Sequence, residues 1–146
     1  MLAEQKIIAL QICPGYRKPM TSLDEVEAIP NLGLKDDAHA KADSSRQVLL
    51  IEKETLDALN LQPGDVKENI TTSGIELMKL EAGTQLQLGK EVVVEITKPC
   101  APCSRMEEIR PGLLKEIAGR RGMLARVVAG GKLRRRDAIQ IVQNNA

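Results

Sequence analysis

Two cysteines three residues apart, Cys100 and Cys103, close the stretch EITKPCAPCSRMEE (residues 95–108), with Lys98 before them and Arg105 after. Sulfur in that spacing has three common uses. A structural zinc site wants two such pairs, or one pair with two histidines, whereas this chain has the pair, Cys13 and a single histidine, His39. A site built from Cys13, His39, Cys100 and Cys103 satisfies the count and requires two distant loops to converge. A dithiol redox centre expects the pair to open a long helix inside a βαβ unit, and Pro102 and the surrounding strand-like sequence argue against that. The third use is a reactive thiolate. Neighbouring cations lower a thiol pKa from about 8.5 toward neutral, so Lys98 and Arg105 predict a sulfur that acts as nucleophile or soft-metal ligand. Prolines and charges make the segment hard to bury, which weakens the reading of both cysteines as small apolar packing groups.

Two other segments carry polar groups in suggestive order. LGLKDDAHAK (residues 32–41) reads as an exposed loop that holds the one histidine. PGDVKENITTSGIEL (residues 63–77) leads from a turn into Glu68-Asn69 and then Thr71-Thr72-Ser73-Gly74. Hydroxyls and backbone N–H groups beside a glycine can hold a phosphate or another oxyanion, and Asn69 can bond as donor and as acceptor. An ordinary turn followed by threonines on a sheet accounts for the same letters.

These groups must be positioned by short strands. QKIIALQICP is Ile-rich and ends at Pro14-Gly15; RQVLLIE is an apolar run suited to a buried strand. EKETLDALNLQPGD predicts a short helix with Leu56 and Leu59 on one face, stopped at Pro63-Gly64. At least three strand-like pieces follow between residues 68 and 100, and LGKEVV reads as a tight hairpin with glycine supplying the positive φ. GLLKEIAGRRG predicts about two helical turns, and MLARVVAGGKLRRRDAIQIV predicts a strand, a Gly-Gly turn and a final strand. Many short strands with a few short helices predict a mostly β, single-domain β-barrel over residues 1–146.

Bulk properties narrow the function. The 146 residues are 42% hydrophobic and 28% charged, a globular composition with a length that fits one domain. Net charge is +1, and there is one Tyr with no Phe or Trp, so neither a broad basic surface nor stacking platforms for nucleic acid are present. Arg134-Arg135-Arg136 is a local run, read as a solvated face. No apolar run approaches the roughly 18 residues that cross a bilayer, and the N-terminal segment is not built as a signal peptide, so the expected location is cytoplasmic.

Taken in order, GLKDDAH, RQVLLIEKETLDAL, PGDVKENITTSGIEL, LQLGKEVVVEITKPCAPC and RRGMLARVVAGGKLRRRDAI resemble a MOSC domain, the family named for the C-terminal domain of molybdenum cofactor sulfurase, here as a stand-alone member. The resemblance runs from about residue 5 to residue 142. It implies a barrel of the pyruvate-kinase-barrel-like kind with a cysteine at the cofactor site. It further implies binding of the molybdenum–pterin cofactor (molybdopterin), sulfur handling for metal-sulfur centres, or reduction of N-hydroxylated compounds, with pyridoxal phosphate binding as a further expectation. The motif ending in Pro-Cys places Cys103 as molybdenum ligand or persulfide carrier and Cys100 as a second thiol that resolves an oxidised or sulfurated form, the reverse assignment of the two roles standing as the alternative. Asp37 and His39 match the family's Asp-x-His, Arg46 the arginine that opens the next strand, Glu68, Asn69, Thr71 and Thr72 its Glu-Asn-x-Thr-Thr, and Arg126 the arginine of the late ARV strand. With Lys98 these are the expected cofactor-binding residues, Arg46 and Arg126 serving as phosphate or pterin clamps, because an anionic cofactor bearing a phosphate and a metal needs cations, hydroxyls and a soft donor in one pocket. Where many relatives have Gly-Asp before the histidine, this chain has Asp36-Asp37. Implied partners are a cysteine desulfurase or a molybdoenzyme client, and a separate electron donor if the protein turns substrate over. The competing reading is a zinc-stabilised or redox-sensing β-domain.

Overall fold

A computed structural model describes residues 4–142. In chain order the elements are β1 (Lys6–Ile12), β2 (Thr21–Leu23), β3 (Glu25–Ile29), β4 (Gly33–Leu34), β5 (Val48–Glu52), α1 (Lys53–Ala58), β6 (Ile70–Ser73), a 3-10 turn (Leu77–Lys79), β7 (Gln85–Leu88), β8 (Val92–Pro99), α2 (Met106–Ile109), α3 (Leu113–Glu116), β9 (Met123–Ala129), β10 (Gly131–Arg134) and β11 (Ile139–Val142). The protein is therefore mostly β with three short α-helices, as its sequence predicts. No described helix is long and apolar enough to cross a membrane.

Eight strands form one sheet in the order β11-β7-β8-β9-β5-β6-β1-β2. All its pairings are antiparallel except β5 with β6, which are linked through α1. The barrel is realised loosely. No continuous ladder closes the sheet, but β1, seventh in the order, reaches the segment that leads into β11, first in the order, through one antiparallel bridge between Lys6 and Ala138. Ile7 N–H donates to Asp137 O at 2.9 Å and Arg136 N–H to Ile7 O at 2.8 Å. Such an approach requires the sheet to curl on itself, and Ile7, Leu10, Leu50, Ile70, Leu86, Val94, Ile96 and Ala125 fill the enclosed aliphatic core.

Alternating burial along β7 and β8 is the pattern of strands with one face inward, and the apolar run of β5 is buried over four consecutive residues. The hairpin expected at LGKEVV forms, with Leu88 opposite Val92 and Gly89 at φ 70°. Two expectations need correction. The segment GLLKEIAGRRG supplies only the four-residue α3, and a second four-residue helix, α2, follows the cysteine pair directly. The C-terminal segment makes three strands rather than two: β10 leaves β9 and pairs with β3 in a separate three-stranded sheet, β10-β3-β4. Gly130 permits this departure, because a Cβ there would sit 2.6 Å from Pro30 Cδ and 2.7 Å from Ala28 O.

The helices form their own apolar cluster against one end of the sheet. Leu56 and Leu59 from α1 and its end meet Val66, Met106 of α2, and Leu113 and Ile117 of α3 and its end. Both leucines expected on one helical face are buried there. This cluster anchors the loop that carries the cysteines.

Candidate functional site

The cysteine loop leaves β8 at Pro99, and it is pinned at two points. Cys100 N–H donates to Gly122 O at 2.9 Å, and the Cys100 side chain packs with Leu49 and Leu124 in a small apolar cluster. Gly122, which accepts this bond, can lie against β5 because it has no side chain: its φ is +106°, and a Cβ would lie 2.4 Å from Leu50 O. Downstream, Met106 N–H donates to Cys103 O at 2.9 Å while the Met106 side chain enters the helix cluster. Between the two pins Cys103 is exposed, whereas Cys100 is only 7% exposed. The two sulfurs, equivalent in sequence, thus have different environments: Cys100 is a packed apolar group that also touches the cavity, and Cys103 is the open thiol.

Both cysteines line a cavity of about 740 Å³. That lies in the range of small-molecule and cofactor sites. His39, Arg46 and Asn69 line it too, so five of the residues expected from sequence surround one space. Lys41, Lys67, Arg105 and Arg121 add four further cations, with Glu108 the one acid among the lining residues.

Arg121 is the group that sequence reasoning missed. It is 6% exposed; its Nη2 donates to Val66 O at 2.6 Å, and its Nε and Nη1 have no hydrogen-bond partner among the described residues. A buried guanidinium with two unused donors costs free energy unless an acceptor arrives. Within Arg120-Arg121 the letters resemble any exposed basic pair, and only the closing of the helix cluster distinguishes the second.

The other expected residues are scaffold groups or lie outside the lining. Asn69 lines the cavity, yet its side chain is committed to the scaffold: Oδ1 accepts Leu49 N–H at 3.0 Å and Nδ2 donates to Gln11 O at 3.2 Å, tying β1 to β5. Glu68 is fully buried, with Oε2 accepting Gly64 N–H and the Thr71 hydroxyl, both at 2.8 Å. Burial pushes its carboxyl pKa up, against the pull of those two donors. The Thr72 hydroxyl reaches Ile51 O at 3.5 Å, so neither threonine lines the cavity. Asp37, two residues before His39, is buried and accepts Cys13 N–H at 2.7 Å, fixing the histidine loop to the end of β1. Lys98 is exposed outside the lining, and Arg126 is exposed on β9, where its Nε donates to Glu95 at 3.0 Å across to β8. The four-ligand zinc arrangement is not assembled: among the described residues no group of three or more His, Cys, Asp and Glu side chains converges as a metal site.

Beside the main cavity lies a smaller one of about 190 Å³, lined by Cys13, Tyr16, Arg17 and Lys18 together with Ala38, His39, Lys67 and Arg105 of the first. Tyr16, the one aromatic residue of the chain, is 79% exposed with the guanidinium groups of Arg17 and Arg105 at 5.5 and 5.6 Å from its ring centroid. The hydrogen bond from Arg17 Nε and the charge of Arg17 pull its phenol pKa down.

Comparison with known proteins agrees with the architecture. The family model described as MOSC domain matches residues 36–140. Among solved structures, the YuaD protein from Bacillus subtilis superposes with a TM-score of 0.84 at 18% identity, covering 95% of this chain and 96% of that one. YiiM from Geobacillus stearothermophilus gives 0.77 at 17% identity, over 95% of this chain and 75% of that one. YiiM from Escherichia coli gives 0.71 at 17% identity, over 97% and 71%. No curated protein sequence matches the chain.

Proposed function

We propose, from the premise that this chain belongs to the MOSC domain family, that its main cavity binds the anionic molybdenum–pterin cofactor with Cys103 as the ligand to the metal. The observation that carries the reading is the presence of an exposed thiol and a buried guanidinium with two unused donors in one cavity, whose lining adds Lys41, Arg46, Lys67 and Arg105 against the single acid Glu108. The donor set fits the group. A soft metal takes a thiolate, and a phosphate-bearing organic part takes guanidinium and ammonium groups. One protein ligand to a metal that the pterin already holds needs no three-residue metal cluster.

In this reading Arg121 holds the anionic end through Nε and Nη1, and Arg46, Lys41 and Lys67 supply further positive potential at the cavity wall. Cys100, packed on Leu49 and Leu124, holds the loop so that Cys103 faces the cavity. Glu68, Asn69, Thr71 and Thr72 act as scaffold, joining β1, β5 and β6 beneath the site. When bound, molybdenum supplies oxygen-atom and electron transfer, and reduction of N-hydroxylated compounds would draw on a separate electron donor.

A second reading rests on the same exposed thiol. Cys103 can carry sulfur: its sulfur bonds to the outer sulfur of a donor persulfide, the donor S–S bond breaks, and the donor leaves with the electron pair as a thiolate. A cysteine desulfurase would be the donor and a molybdoenzyme the client. Elemental analysis and intact mass of protein purified from its native source separate the two readings. Stoichiometric molybdenum lost in Cys103→Ala supports the first, and a mass gain of one sulfur atom lost in the same variant supports the second. Loading of either kind that persists in Cys103→Ala refutes both.

A further inference from the structure

We infer that the small cavity beside the main one is a subsite for a second phosphoryl group, so that the site is built for a diphosphate-linked ligand rather than a monophosphate. The inference rests on the reading of the main cavity as an anion site. The two spaces adjoin, since His39, Lys67 and Arg105 line both. Arg17 and Lys18 belong to the smaller one alone. Its 190 Å³ equals about six waters at roughly 30 Å³ each, room for a phosphoryl group with its oxygens but not for a nucleoside.

Charge in this compartment is one-sided. Arg17, Lys18, Lys67 and Arg105 line it with no acidic residue among the lining groups. Glu108 of the neighbouring cavity is shared between Arg17 Nη1 at 2.9 Å and Arg105 Nε at 3.5 Å, so one carboxylate serves two guanidinium groups. Lys67 Nζ is oriented by Lys18 O at 3.0 Å. Tyr16 holds Arg17 in place through its hydroxyl, which accepts from Arg17 Nε at 3.2 Å. Arg121 serves the first anionic group in the larger cavity, and the Arg17 and Lys18 cluster serves the second. A ligand with one anionic group leaves one of these clusters unused; a diphosphate reaches both.

The test measures binding of inorganic phosphate and of pyrophosphate to the full-length protein by titration calorimetry at low salt. Pyrophosphate is expected to bind about tenfold or more tightly than phosphate, the gain of one set of charge-assisted hydrogen bonds. That advantage should vanish in the double variant Arg17→Gln, Lys18→Gln, whose positions are exposed and outside the core, while phosphate binding is retained. The double variant Arg134→Gln, Arg135→Gln removes the same charge from β10 and its turn and should keep the advantage. Equal affinity for the two anions, no binding of either, or an advantage that survives Arg17→Gln, Lys18→Gln or falls equally in both double variants overturns the inference. The reading of Cys103 is judged separately, by its own loading with molybdenum or sulfur.

Discussion

Replacing Asn69 with alanine should damage the fold first and the site only through it. The amide makes two buried hydrogen bonds, accepting from Leu49 N–H at 3.0 Å and donating to Gln11 O at 3.2 Å. Alanine leaves the Leu49 amide without that acceptor in a region where Leu49, Gln11 and Asn69 are all buried. An orphaned buried donor costs about 1–3 kcal/mol, and the lost bond to the Gln11 carbonyl adds roughly 1 kcal/mol. A total near 3 kcal/mol is a large part of the stability of an ordinary domain. With an m-value of about 2 kcal/mol per M in urea, the unfolding midpoint should fall by about 1.5 M at unchanged m. The backbone bonds Asn69 N–H to Leu49 O and Gln11 N–H to Asn69 O remain, so the variant should fold. Urea melts followed by circular dichroism measure the shift. A midpoint within 0.3 M of the parent protein would refute the assignment of Asn69 to the scaffold and return it to the ligand.

Arg121→Met should change the unfolding midpoint of the empty protein by less than about 1 M urea, because loss of the bond to Val66 O is offset by removal of a buried charge with two unused donors, while phosphate binding measured by calorimetry is weakened about tenfold or more; a loss of more than about 3 kcal/mol in the same urea melt would mean that the guanidinium is structural. Gly122→Ala should cost about 3 kcal/mol or more, since its Cβ would stand 2.4 Å from Leu50 O at a φ of +106°, and the melting temperature should drop by several degrees; an unchanged melting temperature contradicts the close approach. Glu68 has its folded pKa raised by burial, so the native state binds the proton more tightly than the unfolded chain. Its contribution is fully present below the unfolded pKa and is lost as pH rises through the folded value. Glu68→Gln should therefore gain stability relative to the parent as pH rises from the acid range, and a stability difference that stays flat with pH would contradict the assignment.

What could be read from the sequence was whatever depends on neighbours in the chain. The apolar run of β5, the hairpin at Gly89 and the helical face of Leu56 and Leu59 are local patterns, and each appears where its letters place it. The departure of β10 to a second sheet is not local. Gly130-Gly131 looks like a turn, and the partner that decides otherwise is Val26 opposite Leu133, more than a hundred residues back. The site divides in the same way. The motif letters locate His39, Arg46, Asn69, Cys100 and Cys103 at one cavity, but they do not say that Asn69 has both ends of its amide occupied. Nor do they distinguish Cys100 from Cys103, a difference made by Leu49 and Leu124 closing on one sulfur alone. Arg126 looks as good a clamp as Arg121 until the register of β8 with β9 sets it opposite Glu95.

Differential alkylation followed by peptide mass spectrometry tests most directly whether Cys103 is the working sulfur. In the empty native protein Cys103 should be modified rapidly and Cys13 and Cys100 only after unfolding; bound cofactor should protect Cys103, and a loaded sulfur should instead give a Cys103 adduct heavier by one sulfur atom. Modification of Cys100 as fast as Cys103 in the native state, or a loaded protein in which Cys103 is neither protected nor heavier by one sulfur atom, would contradict this assignment.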